Sequence, residues 1–164
     1  MDNKGQISLE FILVIAVIIL IIVCIASFFG GENEITQAMA AARSGAIEGA
    51  NLNSFAVYPK ETFDDYTSKH PRLLSQSNVK IININYVNYG SNNTYNKTKI
   101  QLQITASAPS VNTKSDKNAL GDRVNFYVRK SICESFGTSN LTNKVFNPAF
   151  SNRYVFTTAD VKWT

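Results

Sequence analysis

Residues 11–29 read FILVIAVIILIIVCIASFF, nineteen residues without a charge and with only Cys24 and Ser27 as polar interruptions. As a helix rising ~1.5 Å per residue, this run reaches ~28 Å, about one bilayer hydrocarbon core. Val, Ile and Leu dominate it. The β-branched Val and Ile favour strand in water, but an isolated segment in lipid must bond its own backbone, and a helix does so. No other stretch of the 164 residues approaches the ~18 apolar residues a crossing needs. A multi-span protein and a uniformly water-soluble one are both excluded on this reading.

Charge divides at the same place. Residues 1–53 hold two bases (Lys4, Arg43) against five acids (Asp2, Glu10, Glu32, Glu34, Glu48), a net −3, while residues 54–164 hold fourteen bases and seven acids, a net +7. The bases of this second part are dispersed singly, which reads as solvated surface, and no nucleic-acid partner is expected. Lys4 precedes the apolar run, and Glu32 and Glu34 follow it. That asymmetry places the short N-terminus in the cytoplasm and the large remainder outside. A conventional secretory signal has a shorter apolar core and an A-x-A-like cleavage site, and Cys24-Ile25-Ala26 matches such a site poorly. Val23 before Cys24 lacks the small residue of a lipoprotein signal. A plain signal anchor is the simplest alternative.

The start of the run argues against a plain anchor. Met1-Asp2-Asn3-Lys4-Gly5 is a short polar leader, followed by Gln6-Ile7-Ser8-Leu9-Glu10-Phe11. A plain anchor gives no reason to set a carboxylate, Glu10, against the apolar segment. Charged groups at the bilayer centre cost ~2.5–3.5 kcal/mol on insertion scales, less near an edge, and tend to find partners.

Lys4-Gly5, then Gln6-x-Ser8-x-Glu10 and a long apolar helix, resembles the class III signal peptide of archaeal type IV pilin-like proteins. The resemblance covers about the first thirty residues. It implies cleavage between Gly5 and Gln6 by a membrane-embedded prepilin peptidase, with Lys4, Gly5 and Gln6 as processing residues and Ser8 as part of the signal motif. Glu10 becomes the fifth mature residue. One departure is Val14 at the ninth mature position, where the family pattern has Leu. After such a cut the new α-amine of a neighbouring subunit, shifted along the helix axis, can reach Glu10. That pair would fix register, because sliding strands a charge in an apolar bundle.

The resemblance also implies the partners: identical or related pilin subunits in a helical polymer, the prepilin peptidase, a pilus assembly ATPase with its membrane platform, and membrane lipid before assembly. The expected product is an archaeal surface filament for adhesion, and the expected precursor sits in the plasma membrane. A minor pilin, or a signal-anchored binding protein that never polymerises, is the competing reading.

The organisation expected from this is a leader at 1–5, an N-terminal helix at 6–53 and an extracellular head at 54–164. Gly30-Gly31 is either a stop at the membrane surface or a joint in a continuing helix, since each Gly costs a helix ~1 kcal/mol against Ala. Beyond it, Ala41, Gly45 and Gly49, and likewise Ala42, Ala46 and Ala50, recur at four-residue spacing. Such rows let a backbone approach closely, to the head's own sheet or to a neighbouring helix. Residues 51–71 read as a linker.

A hairpin is expected from residues 79–89 and 97–108 around Gly90-Ser91-Asn92-Asn93. Ile100, Leu102, Ile104 and Ala106 form its inner face, with Lys99, Gln101, Gln103 and Thr105 outside. Residues 111–121 read as loop, 124–133 as a strand from the alternation of Val124, Phe126 and Val128, and 140–151 as loop. A last strand is expected at 154–163. Four strands after a long helix predict an α+β fold with a small antiparallel sheet.

Catalytic chemistry finds no constellation, so no enzyme and no cofactor is expected. His70 is the sole histidine and reads as surface, and Cys24 and Cys133 with one His make no metal spacing. Asp64-Asp65 fits a polar turn, because adjacent residues do not share a face. Tyr86, Tyr89 and Tyr95 read as half-buried strand positions, with adhesion as the alternative. Asn92-Asn93-Thr94, Asn96-Lys97-Thr98 and Asn140-Leu141-Thr142 fit the N-glycosylation pattern, making Asn92, Asn96 and Asn140 the modification candidates.

Overall fold

The computed structural model describes residues 3–52, 60–69 and 78–164. Helix α1 spans Asn3–Asn51, and α2 spans Lys60–Lys69. Strands β1 (Lys80–Asn92) and β2 (Lys97–Ser107) are followed by helix α3 (Lys114–Ser135) and a 3-10 turn at Ser139–Leu141. Strands β3 (Ala149–Phe150), β4 (Tyr154–Thr158) and β5 (Lys162–Trp163) complete the chain. The arrangement is α+β: a long apolar helix, then a small sheet domain. The chain divides into two compact units, Met1–Thr36 and Gln37–Thr164. Gly30 and Gly31 both lie in helical backbone.

In the second unit, β1 and β2 form the expected antiparallel hairpin. Its turn is displaced, however. Both strands run on to Asn92 and Lys97, so the reversal falls on residues 93–96. Gly90, expected in the turn, instead sits at φ 76° between Asn88 and Ser91, where the register shifts. Only glycine takes that left-handed backbone without strain, and a bulge is one of its uses in a strand. The inner face of β2 is as expected, with Ile100, Leu102, Ile104 and Ala106 all buried.

The expected strand at 124–133 is a correction: those residues lie in helix α3, which also takes in most of the expected loop at 111–121. Thr113 starts it as N-cap, its hydroxyl accepting from the Asp116 N–H at 3.2 Å and donating to Asp116 Oδ2 at 2.5 Å. Along the helix Leu120, Val124, Val128 and Ile132 recur every four residues and are all buried. Asn125, Phe126 and Tyr127 between them are buried as well. A helix covered on most of its circumference shows no clean 3.6 period, and Val-x-Phe-x-Val then imitates a strand. Tertiary burial overrides the strand preference of these residues.

That helix changes the sheet. The expectation of a purely antiparallel sheet is corrected to a mixed one, in the order β1-β2-β4-β3, with β5 also paired to β2. Strands β4 and β5 both run parallel to β2, and β3 is antiparallel to β4. Parallel neighbours need a crossover rather than a hairpin, and α3 supplies it. The last strand, expected as one piece over 154–163, is broken at residues 159–161.

The core joins Ala38, Ala42 and Ala46 of α1 to β2, to Ile84 of β1, to Val124, Val128 and Ile132 of α3, and to Phe156 of β4. Residues 37–51 of α1 are therefore part of the head's packing. The small-residue row meets α3. A Cβ on Gly45 would lie 2.8 Å from the Tyr127 carbonyl carbon and 2.9 Å from Ser131 Cβ, and one on Gly49 would lie 3.0 Å from Val124 Cα. Only glycine lets these two helix backbones come so close.

Candidate functional site

Side chains in α1 from Leu9 to Ala26 are exposed on every side of the helix. Phe11 is 64 % exposed, and even Ile15, the most covered of the large ones, is 40 % exposed. The most apolar eighteen-residue window has a mean hydropathy of 3.5, with none of it buried within the chain. A helix that is apolar all round belongs in a membrane or inside a larger protein assembly, not against one face of a core. It is long and apolar enough to cross a membrane.

Glu10 lies near the start of this stretch, exposed between Leu9 and Phe11 and one helical turn before Val14. It is the only charged residue between Leu9 and Phe29. Lys4, Gly5, Gln6 and Ser8 fall in the first turns of the same helix. Lys4, Gly5, Gln6, Ser8 and Glu10 thus follow one another along a single element, followed at once by the apolar rod.

Residues 3–29 match the class III signal peptide family, the type IV pilin-like signal. With the apolar helix, this signal fits a type IV pilin-like protein with a membrane-anchored precursor and points to a structural role. It implies processing and assembly machinery in general. No curated protein and no solved structure matches the chain. The matched stretch contains Gln6, Ser8 and Glu10.

In the head, the three sequon asparagines lie in different settings. Asn92 ends β1, and its Oδ1 accepts from the Thr94 and Tyr95 N–H groups at 3.0 and 3.3 Å. Asn96 is exposed at φ 51°, and Asn140 is exposed in the 3-10 turn. Tyr89 donates to Gln101 Oε1 at 3.0 Å, and the Lys99 ammonium sits 5.6 Å from its ring centre. Tyr95 packs edge-on to Phe150. Tyr86 and Tyr89 are both well exposed.

Elsewhere the chemistry is structural. Asp65 pairs with Lys69 one turn on in α2, at 2.8 Å. His70 lies outside the described residues. Among the described residues no three His, Cys, Asp or Glu side chains come together as a metal site. Cys24 and Cys133 are both free thiols. Burial pushes the Cys133 thiol above its ordinary value of 9.0, against the weaker opposing pull of hydrogen bonds from Phe150 and Thr138.

The polar clamps of the head escaped the sequence reading. Arg123 Nε donates to the Gly49 carbonyl at 3.0 Å, and Gln37 Nε2 to the Ser135 carbonyl at 2.9 Å. Arg129 reaches the Val145 carbonyl and Thr158 Oγ1, the latter at 2.5 Å. All but Gln37 lie on α3, the helix read as strand, so no spacing rule applied to them.

Proposed function

We propose that this chain is the structural subunit of a type IV pilus-like filament on an archaeal cell surface, built for attachment. The observation that carries the reading is Glu10, a lone exposed carboxylate at the head of an apolar rod, within the pilin-like signal. A prepilin peptidase cuts between Gly5 and Gln6 on the cytoplasmic side. The precursor waits in the plasma membrane with its head outside. An assembly ATPase and its platform then extract the helix, which packs among identical helices in the filament centre.

Lipid is already apolar, so leaving it brings no hydrophobic gain of the kind found in water. The driving terms are side-chain packing and the pairing of Glu10 with the new α-amine of a neighbour. Retained as lone anchors, the chains would leave the carboxylate unpaired at the membrane edge. The role is assembly, with no catalysis and no cofactor.

Mass spectrometry of the mature chain tests this. The N-terminus is expected at Gln6, or at its pyroglutamate form, which would remove the amine and with it the Glu10 pairing. Sheared surface filaments are expected to contain the chain. A retained leader refutes the pilin reading and leaves a signal-anchored binding protein. Filaments built without this chain as bulk component make it a minor pilin.

A further inference from the structure

We propose that a cleft between α3 and the segment joining β4 to β5 binds a primary ammonium group on an alkyl stem. That is the chemistry of a lysine side chain or of a free aliphatic amine. The cleft lies wholly within the head, so the inference goes beyond the filament reading and does not depend on it.

Asn118, Gly121, Asp122 and Asn125 recur at three- and four-residue spacing, which sets them on one face of α3. Asp160, Val161 and Trp163 complete a cleft of about 210 Å³ with them. The break between β4 and β5 is what carries Asp160 into this lining. Gly121 makes the closure possible. A Cβ there would stand 3.3 Å from Val161 Cβ and 3.7 Å from Trp163 Cζ2, so the bare backbone lets both side chains close on the helix.

Asn125 shows that something is missing. It is 5 % exposed, and its Nδ2 donates to the Ala159 carbonyl at 3.0 Å. That bond fixes the orientation of the amide. The other end, Oδ1, is buried with no hydrogen-bond partner among the described residues. Buried acceptors are rarely left so, because the bonds lost to water are not replaced. A donor or a cation held in the cleft would satisfy it.

The rest of the lining selects between ligands. Asp122 and Asp160, both exposed, are the only charged residues in it, and both are acids in a part of the chain with net charge +7. Gly121, Val161 and Trp163 are apolar, and an indole face attracts a cation. A divalent metal would use the carboxylates and the amide but leave Val161 and the indole without a role. Among the described residues no third His, Cys, Asp or Glu joins the two acids as a metal site. At ~30 Å³ per water the cleft has room for about seven, far more than one bare ion fills. An alkylammonium meets every group. Its three N–H donors serve Oδ1 and the carboxylates, and its stem covers the apolar part.

Trp163 is the sole tryptophan, so its fluorescence reads the cleft directly. The full chain in uncharged detergent micelles is titrated with n-butylammonium chloride at constant ionic strength. A saturable change is expected, at a concentration about tenfold lower than for methylammonium, because the longer stem buries more apolar surface. Butan-1-ol, with the stem and no charge, is expected to give none. Asp122→Asn with Asp160→Asn is expected to weaken n-butylammonium about tenfold. Both positions are exposed, so the head keeps its unfolding temperature. Equal responses to n-butylammonium and sodium overturn the proposal, as does a response that survives the double variant. Saturation by Ca²⁺ below the concentration needed for n-butylammonium overturns it in favour of a metal. Carbodiimide treatment of sheared filaments separates the two sources, and this arm alone uses the filament reading. A peptide joining Asp122 or Asp160 to a lysine of another copy identifies a neighbouring subunit, whereas amine binding without such a peptide identifies a free amine.

Discussion

Arg123 donates its Nε hydrogen to the Gly49 carbonyl oxygen at 3.0 Å, joining the middle of α3 to the last turn of α1 across 74 residues of sequence. The last carbonyls of a helix have no partner within it, and the helix end carries partial negative charge. A cation there satisfies both. Because the site is buried, the acceptor has little water to fall back on.

Arg123→Ala is expected to destabilise the head by about 2–4 kcal/mol, from a lost charge-assisted hydrogen bond and the space left behind. Thermal unfolding of the full chain in detergent micelles measures this. Arg123→Lys recovers only part of the loss, since a point charge on a flexible stem cannot reproduce the guanidinium's fixed geometry. Equal stability of Arg123→Ala and the parent would contradict the clamp.

Gly45→Ala separates helix propensity from packing. Alanine favours a helix over glycine by ~1 kcal/mol. Against that, the new methyl meets the Tyr127 carbonyl and Ser131 Cβ, and the former is backbone that cannot step aside. Overpacking of this kind costs about 1–3 kcal/mol. The net change is expected to be destabilising, with a lower unfolding temperature for Gly45→Ala. Ser44→Ala at the exposed neighbouring position is the control, expected neutral to slightly stabilising. If both variants stabilise, the close approach of α1 and α3 is wrong.

What could be read from the sequence, and what could not, follows from how each element is buried. Residues 11–29 are apolar without interruption, so one-dimensional reading sufficed there. Strand β2 is buried on one face only, and its Ile100, Leu102, Ile104 and Ala106 alternation survived intact. Helix α3 is buried nearly all round, which erased the period that identifies a helix. Losing α3 meant losing the crossover, and with it the parallel pairing of β2 with β4. Arg123 and Gln37 were unreadable for another reason: each bonds a carbonyl, and any residue can supply one. The Gly45 and Gly49 row was visible as a close-contact surface, yet its partner was hidden with the helix.

Cys133 makes the head's stability fall in alkali. Burial raises the thiol's pKa in the folded state above its ordinary 9.0. From pH 9.0 upward the unfolded chain therefore loses a proton that the folded chain keeps, so stability falls as pH rises. Below 9.0 both states hold the proton, and this group adds no pH dependence. Cys133→Ala is expected to flatten the alkaline decline while lowering stability at neutral pH by about 1–3 kcal/mol through the cavity. In the native protein, thiol reagents are expected to leave Cys133 unreacted until the head unfolds. Rapid labelling of Cys133 at neutral pH would show that the thiol is not buried.

Glu10→Val tests the filament itself. The substitution removes the only charge between Leu9 and Phe29 and joins Leu9 to the apolar rod, extending it by two residues. Gly5 and Gln6 lie a full turn earlier, so the leader is expected to be cut as in the parent. Membrane retention is expected to hold or improve, because a carboxylate no longer has to sit at the bilayer edge. Assembly is where the loss falls. A neighbour's α-amine would then enter an apolar bundle without its counter-charge, and leaving one such partner unpaired costs several kcal/mol. Surface filaments are expected to drop by about tenfold or more, while processed subunit accumulates in the membrane. Glu10→Asp keeps the charge but shortens the reach, and is expected to fall between Glu10→Val and the parent. Filaments at parental yield from Glu10→Val, with the leader removed, would show that helix packing alone sets the register.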